Sequence, residues 1–410
     1  MSDLISRRDM MKRGGVIAIG LAAPRWLSTI AKADMLRVAQ GGKPSSDTVL
    51  VVCQFSGGND GLNTFIPYAN KTYYNLRPTL GIEEGKVLHA NDQMGFHPSM
   101  QPIADLYKAG KVAVINSVGY PNPNLSHFAS MDIWQSASPE KTYHNGWIGR
   151  HLDNLLTHGD LDPVLALGLS TEKPLALSAD HASVPCFASL SDVKNLIGDP
   201  AAEEMLREIQ GPDAPAGSPT RVVQKASKAA LDAMDILSHQ LGGYTPKQTY
   251  ANDPFGNGFK QIAQLIATSP KTRIVYFSAG GFDTHARQAD TQAKLLGEFS
   301  AAVAAFQAEM EAIGRADKVL VMTFSEFGRR AAENGSAGTD HGTAAPMFLI
   351  GKPVKGGMYG NVPDLDNLHN GNLVFSTDFR QVYAATLDQW MGGDSEVVLG
   401  QKFDHVQVFG

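Results

Sequence analysis

The sequence is poor in cysteine and has no basic run, and each deficit excludes a class of protein. Its 410 residues include only two cysteines, Cys53 and Cys186, too few for a disulfide framework or a four-cysteine zinc site. The formal net charge is −6 at pH 7, and no basic run is available to track a phosphate backbone. Gly-x-Gly-x-x-Gly and Gly-x-x-x-x-Gly-Lys loops are also missing, which removes support for dinucleotide-binding and P-loop folds. The hydrophobic content of 43% indicates a globular protein.

The amino terminus is typical of a twin-arginine export signal. Adjacent Arg7 and Arg8 precede a short apolar run, Val16 to Ala23, and the segment ends in Ala31-Lys32-Ala33, which suits a signal peptidase. The run is too short for a permanent membrane span. We therefore expect residues 1–33 to be removed and the protein to be periplasmic or secreted, exported in folded form by the twin-arginine translocation machinery. The alternative is a basic, partly apolar helix that lies on the protein.

Short apolar runs alternate with helical patterns in the rest of the chain. The run Thr48–Phe55 is continuous and rich in β-branched residues, as in a strand covered on both faces. Further strands are predicted at Val112–Ser117, Arg273–Ser278, Val319–Thr323 and Met347–Ile350, and helices at Val223–Leu241 and Gln288–Ile313. This alternation predicts an α/β fold, an αβα sandwich with a mostly parallel central sheet. We expect a single domain over residues 34–410, because the Pro- and Gly-rich loop at residues 211–219 interrupts the pattern without changing it.

Polar residues in glycine-flanked loops lie next to several of these runs. Sites in open α/β sheets form at the carboxyl ends of the strands. The acidic and histidine residues in these loops are Asp60, Asp283, His285, Asp340 and His341. Each alone is explained as a turn residue or an ordinary polar group. Together they suit zinc, manganese or a similar divalent ion, and their number is enough for two adjacent ions, which would stabilise the attacking and leaving oxygens in phosphoryl or sulfuryl transfer.

Several short motifs also occur in a specific order. They are the twin-arginine leader, Phe55-Ser-Gly-Gly-Asn-Asp-Gly61, Asn124-Leu-Ser-His-Phe128, Gly281-Phe-Asp-Thr-His285, Ser325-Glu-Phe-Gly-Arg329, Gly338-Thr-Asp-His-Gly342 and Thr377-Asp-Phe-Arg380. In this order they resemble the DUF1501 family of exported bacterial proteins, and the resemblance covers nearly the whole chain after the leader. That family is grouped with the alkaline phosphatase and sulfatase superfamily. The resemblance implies an alkaline phosphatase-like αβα sandwich and commonly two metal ions.

The resemblance also implies metal-binding roles for individual residues. Asp60 resembles the carboxylate that binds the second ion. Asp340 and His341 resemble one Asp-His pair of the superfamily. Asp283 and His285 resemble the other pair, although a single residue separates them where alkaline phosphatases have three.

Two further ligands are implied by the same resemblance. Glu326, at a strand end, resembles the carboxylate that some members use for an auxiliary ion. A third histidine is expected near the carboxyl terminus, and His369 and His405 are both alternatives for it.

The nucleophile is expected at the start of a helix that follows an early strand. Superfamily members place a Ser, Thr or modified Cys there, where helix amides and metals favour its ionisation. Ser126 has this position, and the alternative is that it only caps the helix. His127 is a second catalytic candidate, as a partner or ligand of the site, against an ordinary surface or capping role.

These observations favour an exported metal-dependent hydrolase that acts on a small phosphate or sulfate ester. The metal would be zinc or manganese, as one ion or two. The alternative is a non-catalytic binding or assembly protein that keeps the hydrolase fold outside the inner membrane. A carbohydrate hydrolase with Glu326 and Asp283 as paired carboxylates is a third reading, with no spacing in the sequence to support it.

Overall fold

The computed structural model describes residues 47–157, 161–191, 201, 204, 208, 211–215, 218–240 and 243–409. The expected leader, residues 1–33, lies outside the described residues. Within the described ranges, no helix combines the length and the apolar character needed to cross a membrane.

A large, mostly parallel sheet forms the centre of the protein. The strands are β1 (Val49–Phe55), β2 (Phe65–Ile66), β3 (Leu88–His89), β4 (Gly95–Phe96), β5 (Val112–Gly119), β6 (Ala166–Leu169), β7 (Cys186–Phe187), β8 (Ile274–Ala279), β9 (Val319–Phe324), β10 (Ala345–Ile350), β11 (Gly357–Tyr359) and β12 (Thr377–Asp378). The large sheet has the order β11-β5-β10-β9-β1-β8-β6-β7, with β12 also paired to β5, and β2, β4 and β3 form a small separate sheet. Among the described strands of the large sheet, only β10 is antiparallel to its neighbours. The predicted mostly parallel sheet is confirmed.

Helices cover both faces of this sheet. They are Gly61–Thr64, Lys71–Leu76, Gln101–Lys108, His127–Ser136, Trp147–Leu156, Pro219–Gln240, Pro254–Thr268, Gln288–Ala312, Phe379–Ala385 and Ser395–Leu399, and a π-helical segment spans Thr386–Met391. In β1, Val51 and Cys53 join one apolar cluster and Leu50 and Val52 join another, because successive side chains of a strand point to opposite faces. Each fully buried aliphatic side chain contributes about 1.5–3 kcal/mol. The predicted αβα sandwich is therefore confirmed.

The helix Gln288–Ala312 shows how sequence periodicity produces one of these layers. Leu296, Phe299, Val303, Phe306 and Met310 recur at intervals of three and four residues, and all are fully buried. This spacing places them on one helical face. The face packs into the same cluster as Val51 and Cys53, which fixes the amino end of the helix near the carboxyl edge of the sheet.

The strand directions bring several loops to one edge of the sheet. Strands β8 and β9 run parallel to β1 on either side of it. Strand β10 is antiparallel to both β5 and β9, so β5 runs in the same direction as β9. The carboxyl ends of β1, β5, β8 and β9 and the amino end of β10 therefore share one edge.

Candidate metal centre

Three histidines and one carboxylate meet at this edge. His127 begins the helix after β5, Asp283 and His285 follow β8, and His341 precedes β10. Nε2 of His285 lies 2.9 Å from Nε2 of His341 and 3.1 Å from Oδ1 of Asp283. Nε2 of His127 and Nε2 of His341 lie 3.5 and 3.4 Å from Asp283 oxygens. One donor atom each from His127, Asp283 and His341 lies within 4.8 Å of the other two, a grouping that could hold a metal ion.

The tautomers of two of these imidazoles are set by their outer contacts. Nδ1 of His341 donates to the carbonyl oxygen of Leu125 at 2.8 Å, and a carbonyl only accepts. Nδ1 of His285 donates to Oδ1 of Asp340 at 3.1 Å. In the neutral imidazoles both Nε2 atoms carry lone pairs, and these face each other at 2.9 Å. Such an arrangement is repulsive unless a proton or a cation offsets it, and the nearby Nη1 of Arg329, 3.5 Å from Nε2 of His285, does so only in part.

The third imidazole is oriented by a buried carboxylate. Nδ1 of His127 donates to Oε1 of Glu326 at 2.9 Å, and the backbone N–H of Gly57 donates to the same oxygen at 2.8 Å. Glu326 is fully buried. Its contacts therefore place it behind a histidine rather than among the atoms that face Asp283, which differs from the expected auxiliary-ion role. Carboxylates of this kind fix the orientation of metal-binding histidines.

Asp283 is held by a buried arginine. Nη2 of Arg329 lies 2.7 Å from Oδ1 of Asp283. The same guanidinium donates to the carbonyl oxygens of Gly58, Thr339 and Phe282 at 2.6, 2.8 and 3.1 Å. Burial raises the pKa of Asp283, but the hydrogen bond and charge of Arg329 outweigh it, so the pKa lies below its usual value. The carboxylate is therefore ionised at neutral pH.

The groups around His341 and Asp340 favour a neutral imidazole and an ionised carboxylate. Burial lowers the pKa of His341, and the charge of nearby Arg329 lowers it further. Hydrogen bonds from Asn334 and His285 lower the pKa of Asp340. A neutral imidazole and ionised carboxylates are the forms that bind divalent cations.

Two glycines allow the loops to approach this closely. Gly57 has φ +122°, and a Cβ there would lie 2.4 Å from the backbone nitrogen of Asp283. A Cβ on Gly338 would lie 2.2 Å from the carbonyl carbon of His285. Larger residues at either position would push the loops apart.

Asp60 is held differently from the prediction. Its Oδ2 and Oδ1 accept from Nη1 and Nη2 of Arg77 at 2.5 and 2.9 Å, and both side chains are almost fully buried. Gln288 also donates to Oδ2. The guanidinium supplies the positive charge that a buried carboxylate requires. Both oxygens of Asp60 are thus occupied by protein donors, where the resemblance implied a second metal ion.

Ser126 lies at the N-cap position of the helix His127–Ser136, as predicted. Its side chain is exposed and makes no capping hydrogen bond. The backbone N–H of Ser126 donates instead to Oδ1 of Asn124 at 2.9 Å. Its neighbours are Leu125 and His127, both of which contact the imidazole cluster or belong to it.

The two carboxyl-terminal histidines make other contacts. Nε2 of His405 lies 2.7 Å from Oδ2 of Asp388. His369 forms a backbone bridge with Asn372. The third imidazole beside Asp283 is that of His127, which the sequence singled out as a partner or ligand of the site.

Sequence reasoning did not assign roles to the two arginines. Arg329 lies in the motif Ser325–Arg329, so its position after β9 was a usable signal. Arg77 lies in no motif, and only the fold brings it to Asp60.

A family model described as a protein of unknown function (DUF1501) matches residues 47–402 of the chain. No curated protein matches it in sequence. Among solved structures, the chain is similar to Ps i-CgsB in complex with k-i-k-neocarrahexaose, at 11% identity and a TM-score of 0.35, covering 87% of this chain and 73% of that one.

Two other similar structures carry descriptive names. A protein in the alkaline phosphatase superfamily from Vibrio parahaemolyticus has 7% identity and a TM-score of 0.34. The match covers 86% of this chain and 69% of the Vibrio chain. A mutant of TAB5 alkaline phosphatase with Mg bound in its M3 site has 11% identity and a TM-score of 0.33. The match covers 76% of this chain and 94% of the alkaline phosphatase chain.

Proposed function

This chain belongs to the DUF1501 family, and we propose that it is an exported hydrolase of phosphate or sulfate esters that depends on one divalent metal ion. The observation that carries the proposal is the convergence of three imidazole Nε2 atoms on Asp283, with each Nδ1 occupied by an oxygen acceptor. This combination of ligands and outer contacts is typical of protein metal sites.

The donor set fits zinc best. Nitrogen ligands with one carboxylate are common around zinc, with bonds of about 2.0–2.2 Å. Nε2 of His285 and Nε2 of His341, 2.9 Å apart, are close enough to share one cation. Manganese is the second choice, because it prefers oxygen ligands.

A single ion is favoured over two. Asp60, the expected ligand of a second ion, is paired with Arg77. When bound, the ion would act as a Lewis acid toward an oxygen of the ester. His127, Asp283 and His341 form the grouping that could hold it, and we add His285 as a fourth ligand because its Nε2 lies 2.9 Å from Nε2 of His341.

The remaining charged residues would keep these ligands in place. Arg329 keeps Asp283 ionised and anchors it to the loop after β1. Glu326 and Asp340 keep a hydrogen on Nδ1 of His127 and Nδ1 of His285, so that Nε2 remains the free nitrogen of each ring.

Ser126 is the proposed nucleophile. Its hydroxyl is exposed and is not used to cap the helix. Attack by Oγ would form a bond to phosphorus or sulfur as the ester oxygen leaves; the hydroxyl proton passes to solvent and the leaving oxygen takes one from solvent. Water would then cleave the covalent intermediate, release phosphate or sulfate, and restore the hydroxyl. Ser126→Ala should bind metal but lose nearly all turnover, whereas activity in Ser126→Asn would exclude this role.

The export part of the proposal depends on residues 1–33. If Arg7 and Arg8 form a twin-arginine signal, replacing both with lysine should leave a folded precursor in the cytoplasm. Normal levels of the doubly substituted protein in the periplasm would contradict the assignment.

The activity is tested with metal-free protein reconstituted with zinc or manganese. We expect hydrolysis of an aryl phosphate or aryl sulfate that chelator removes and added metal restores. Metal binding without turnover of any ester would favour the non-catalytic binding protein. Ester turnover that is unaffected by chelator would contradict the metal-dependent mechanism.

A further inference from the structure

We propose that Gln288 is a positioning residue for the metal centre, an inference that rests on the metal site in the proposed function. Gln288 is the first residue of the helix Gln288–Ala312, and its side chain is fully buried. None of its described hydrogen bonds is to the four residues proposed to hold the ion. Its effect would be transmitted through the two loops that carry Asp283, His285 and His341.

The side-chain oxygen of Gln288 joins these two loops. Oε1 accepts a hydrogen bond from Oγ1 of Thr284 at 3.0 Å and from Oγ1 of Thr339 at 2.5 Å. Thr284 lies between Asp283 and His285 in the loop after β8. Thr339 lies two residues before His341 in the loop before β10. One amide oxygen therefore connects the segments that supply three of the four proposed ligands.

The side-chain nitrogen of Gln288 anchors this connection to the interior. Nε2 donates to Oδ2 of Asp60 and to Oε1 of Gln292, the latter at 2.7 Å. A carboxylate only accepts, so the amide orientation is fixed with Oε1 toward the threonines. Asp60 is itself fixed by its paired hydrogen bonds with Arg77. The anchor is therefore a buried ion pair rather than a mobile side chain.

Backbone hydrogen bonds also hold these two loops together. The N–H of Thr339 donates to the carbonyl of Thr284 at 3.1 Å, and the N–H of Gln288 donates to the carbonyl of Ala337 at 2.9 Å. These bonds hold the two loops together, with Nε2 of His285 2.9 Å from Nε2 of His341 and Nδ1 of His285 3.1 Å from Oδ1 of Asp340. Metal–ligand distances tolerate shifts of only about 0.2 Å, so loosening this connection should weaken metal binding.

Gln292 provides a matched control. It lies one turn further along the same helix, is buried, and donates to the backbone oxygen of Asp60 at 2.9 Å. The described contacts of Gln292 include neither Thr284 nor Thr339. Replacing Gln292 with methionine removes one acceptor of Gln288 Nε2 but leaves its bond to Asp60 and the bonds from both threonines to Oε1 in place.

The test compares the zinc affinity of the full chain in Gln288→Met and Gln292→Met by competition with a chelator. Loss of a group that hydrogen-bonds a metal ligand typically lowers affinity by about 10–100-fold, and Gln288 acts one step further out, through Thr284 and Thr339. We therefore expect a decrease of about tenfold in Gln288→Met and less than about threefold in Gln292→Met, with similar losses of thermal stability. Equal losses of affinity in the two variants, or an unchanged affinity in Gln288→Met, would overturn the proposal.

A second pair of variants covers the case in which Gln288→Met does not fold. Thr339→Val removes one donor to Gln288 while keeping the shape of the side chain, and Thr339→Ser restores the hydroxyl. We expect the loss of zinc affinity in Thr339→Val and its recovery in Thr339→Ser. No difference between the two would contradict the proposal.

A metal-free measurement separates this inference from the proposed function. The imidazole nitrogen shifts of His285 and His341 report their hydrogen bonding in the absence of any ion. They should change in Gln288→Met and stay at wild-type values in Gln292→Met even if the wild-type protein binds no zinc. Failure of zinc binding would then reject the metal site alone, whereas unchanged shifts in Gln288→Met would reject the positioning role.

Discussion

Asp60 and Asp283 occupy equivalent places in neighbouring strands but have different surroundings. Each follows a buried parallel strand and a glycine pair, Asp60 after β1 and Asp283 after β8. Asp60 is enclosed and paired with Arg77, whereas the side chain of Asp283 is 48% exposed and faces three imidazoles. Both carboxylates contact an arginine, but only Asp283 also faces nitrogen atoms with free lone pairs.

The comparison shows that an acidic residue at a strand end does not by itself indicate a metal ligand. A buried carboxylate needs a positive charge, and either a fixed guanidinium or a bound ion can supply it. Arg77 makes the Asp60 region part of the framework. The histidines around Asp283 leave donor atoms available to a ligand.

The largest expected effect comes from breaking the Asp60 pair. Arg77→Met would leave the carboxylate of Asp60 buried without a counter-charge, and removing one partner of a buried pair costs about 3–5 kcal/mol. We expect a decrease of this size in the free energy of unfolding, measured with denaturant on metal-free protein.

The neighbouring arginine serves as its control. Arg330 is exposed, so Arg330→Met should change the free energy of unfolding by no more than about 0.5 kcal/mol. Similar decreases in the two variants would show that the pair of Arg77 and Asp60 does not stabilise the fold.

A smaller effect is expected from changing Glu326, the buried carboxylate behind the proposed ligand His127. Glu326→Gln keeps the size of the side chain but removes the charge that faces Nδ1 of His127. We expect zinc affinity to fall about tenfold, the lower end for outer contacts of a metal site. Chelator competition measures it, and an affinity equal to that of wild type would place Glu326 outside the function of the site.

The smallest effect concerns pH and the metal-free protein. Burial lowers the pKa of His341 below the ordinary value of 6.5, so the unfolded chain takes up this proton at a higher pH than the folded chain. The free energy of unfolding should therefore decrease as the pH falls through about 6.5.

His341→Gln cannot take up this proton. Its free energy of unfolding should decrease less than that of wild type between about pH 7.5 and 5.5, as measured with denaturant in the presence of chelator. Parallel pH profiles for the two proteins would contradict a lowered pKa at His341.

Periodicity was sufficient to predict most of the central fold. The buried run at Thr48–Phe55 corresponds to β1, and the pattern at Gln288–Ile313 differs from the observed helix by one residue. Short strands such as β7 and β12 have two residues each, too few to establish a period. Their pairing depends on neighbours that are distant in sequence.

The candidate site was only partly predictable for the same reason. Glycine-flanked His and Asp residues at strand ends identified Asp283, His285 and His341. The partner of Asp60 was not predictable, because Arg77 lies on a separate segment and reaches Asp60 only in the folded chain. Three histidines were alternatives for the third imidazole: His127, His369 and His405. Assigning it to His127 required knowing that β5 runs in the same direction as β9.

The most direct test of the central claim is the zinc content of the folded chain. Purified protein would be loaded with zinc, dialysed and analysed by elemental mass spectrometry, beside a variant with both His127→Ala and His341→Ala. We predict about one zinc per wild-type chain and almost none in the variant, because two of its four proposed ligands are missing. Wild-type protein without zinc, or a folded variant that retains it, would contradict the assignment of this cluster as the metal centre.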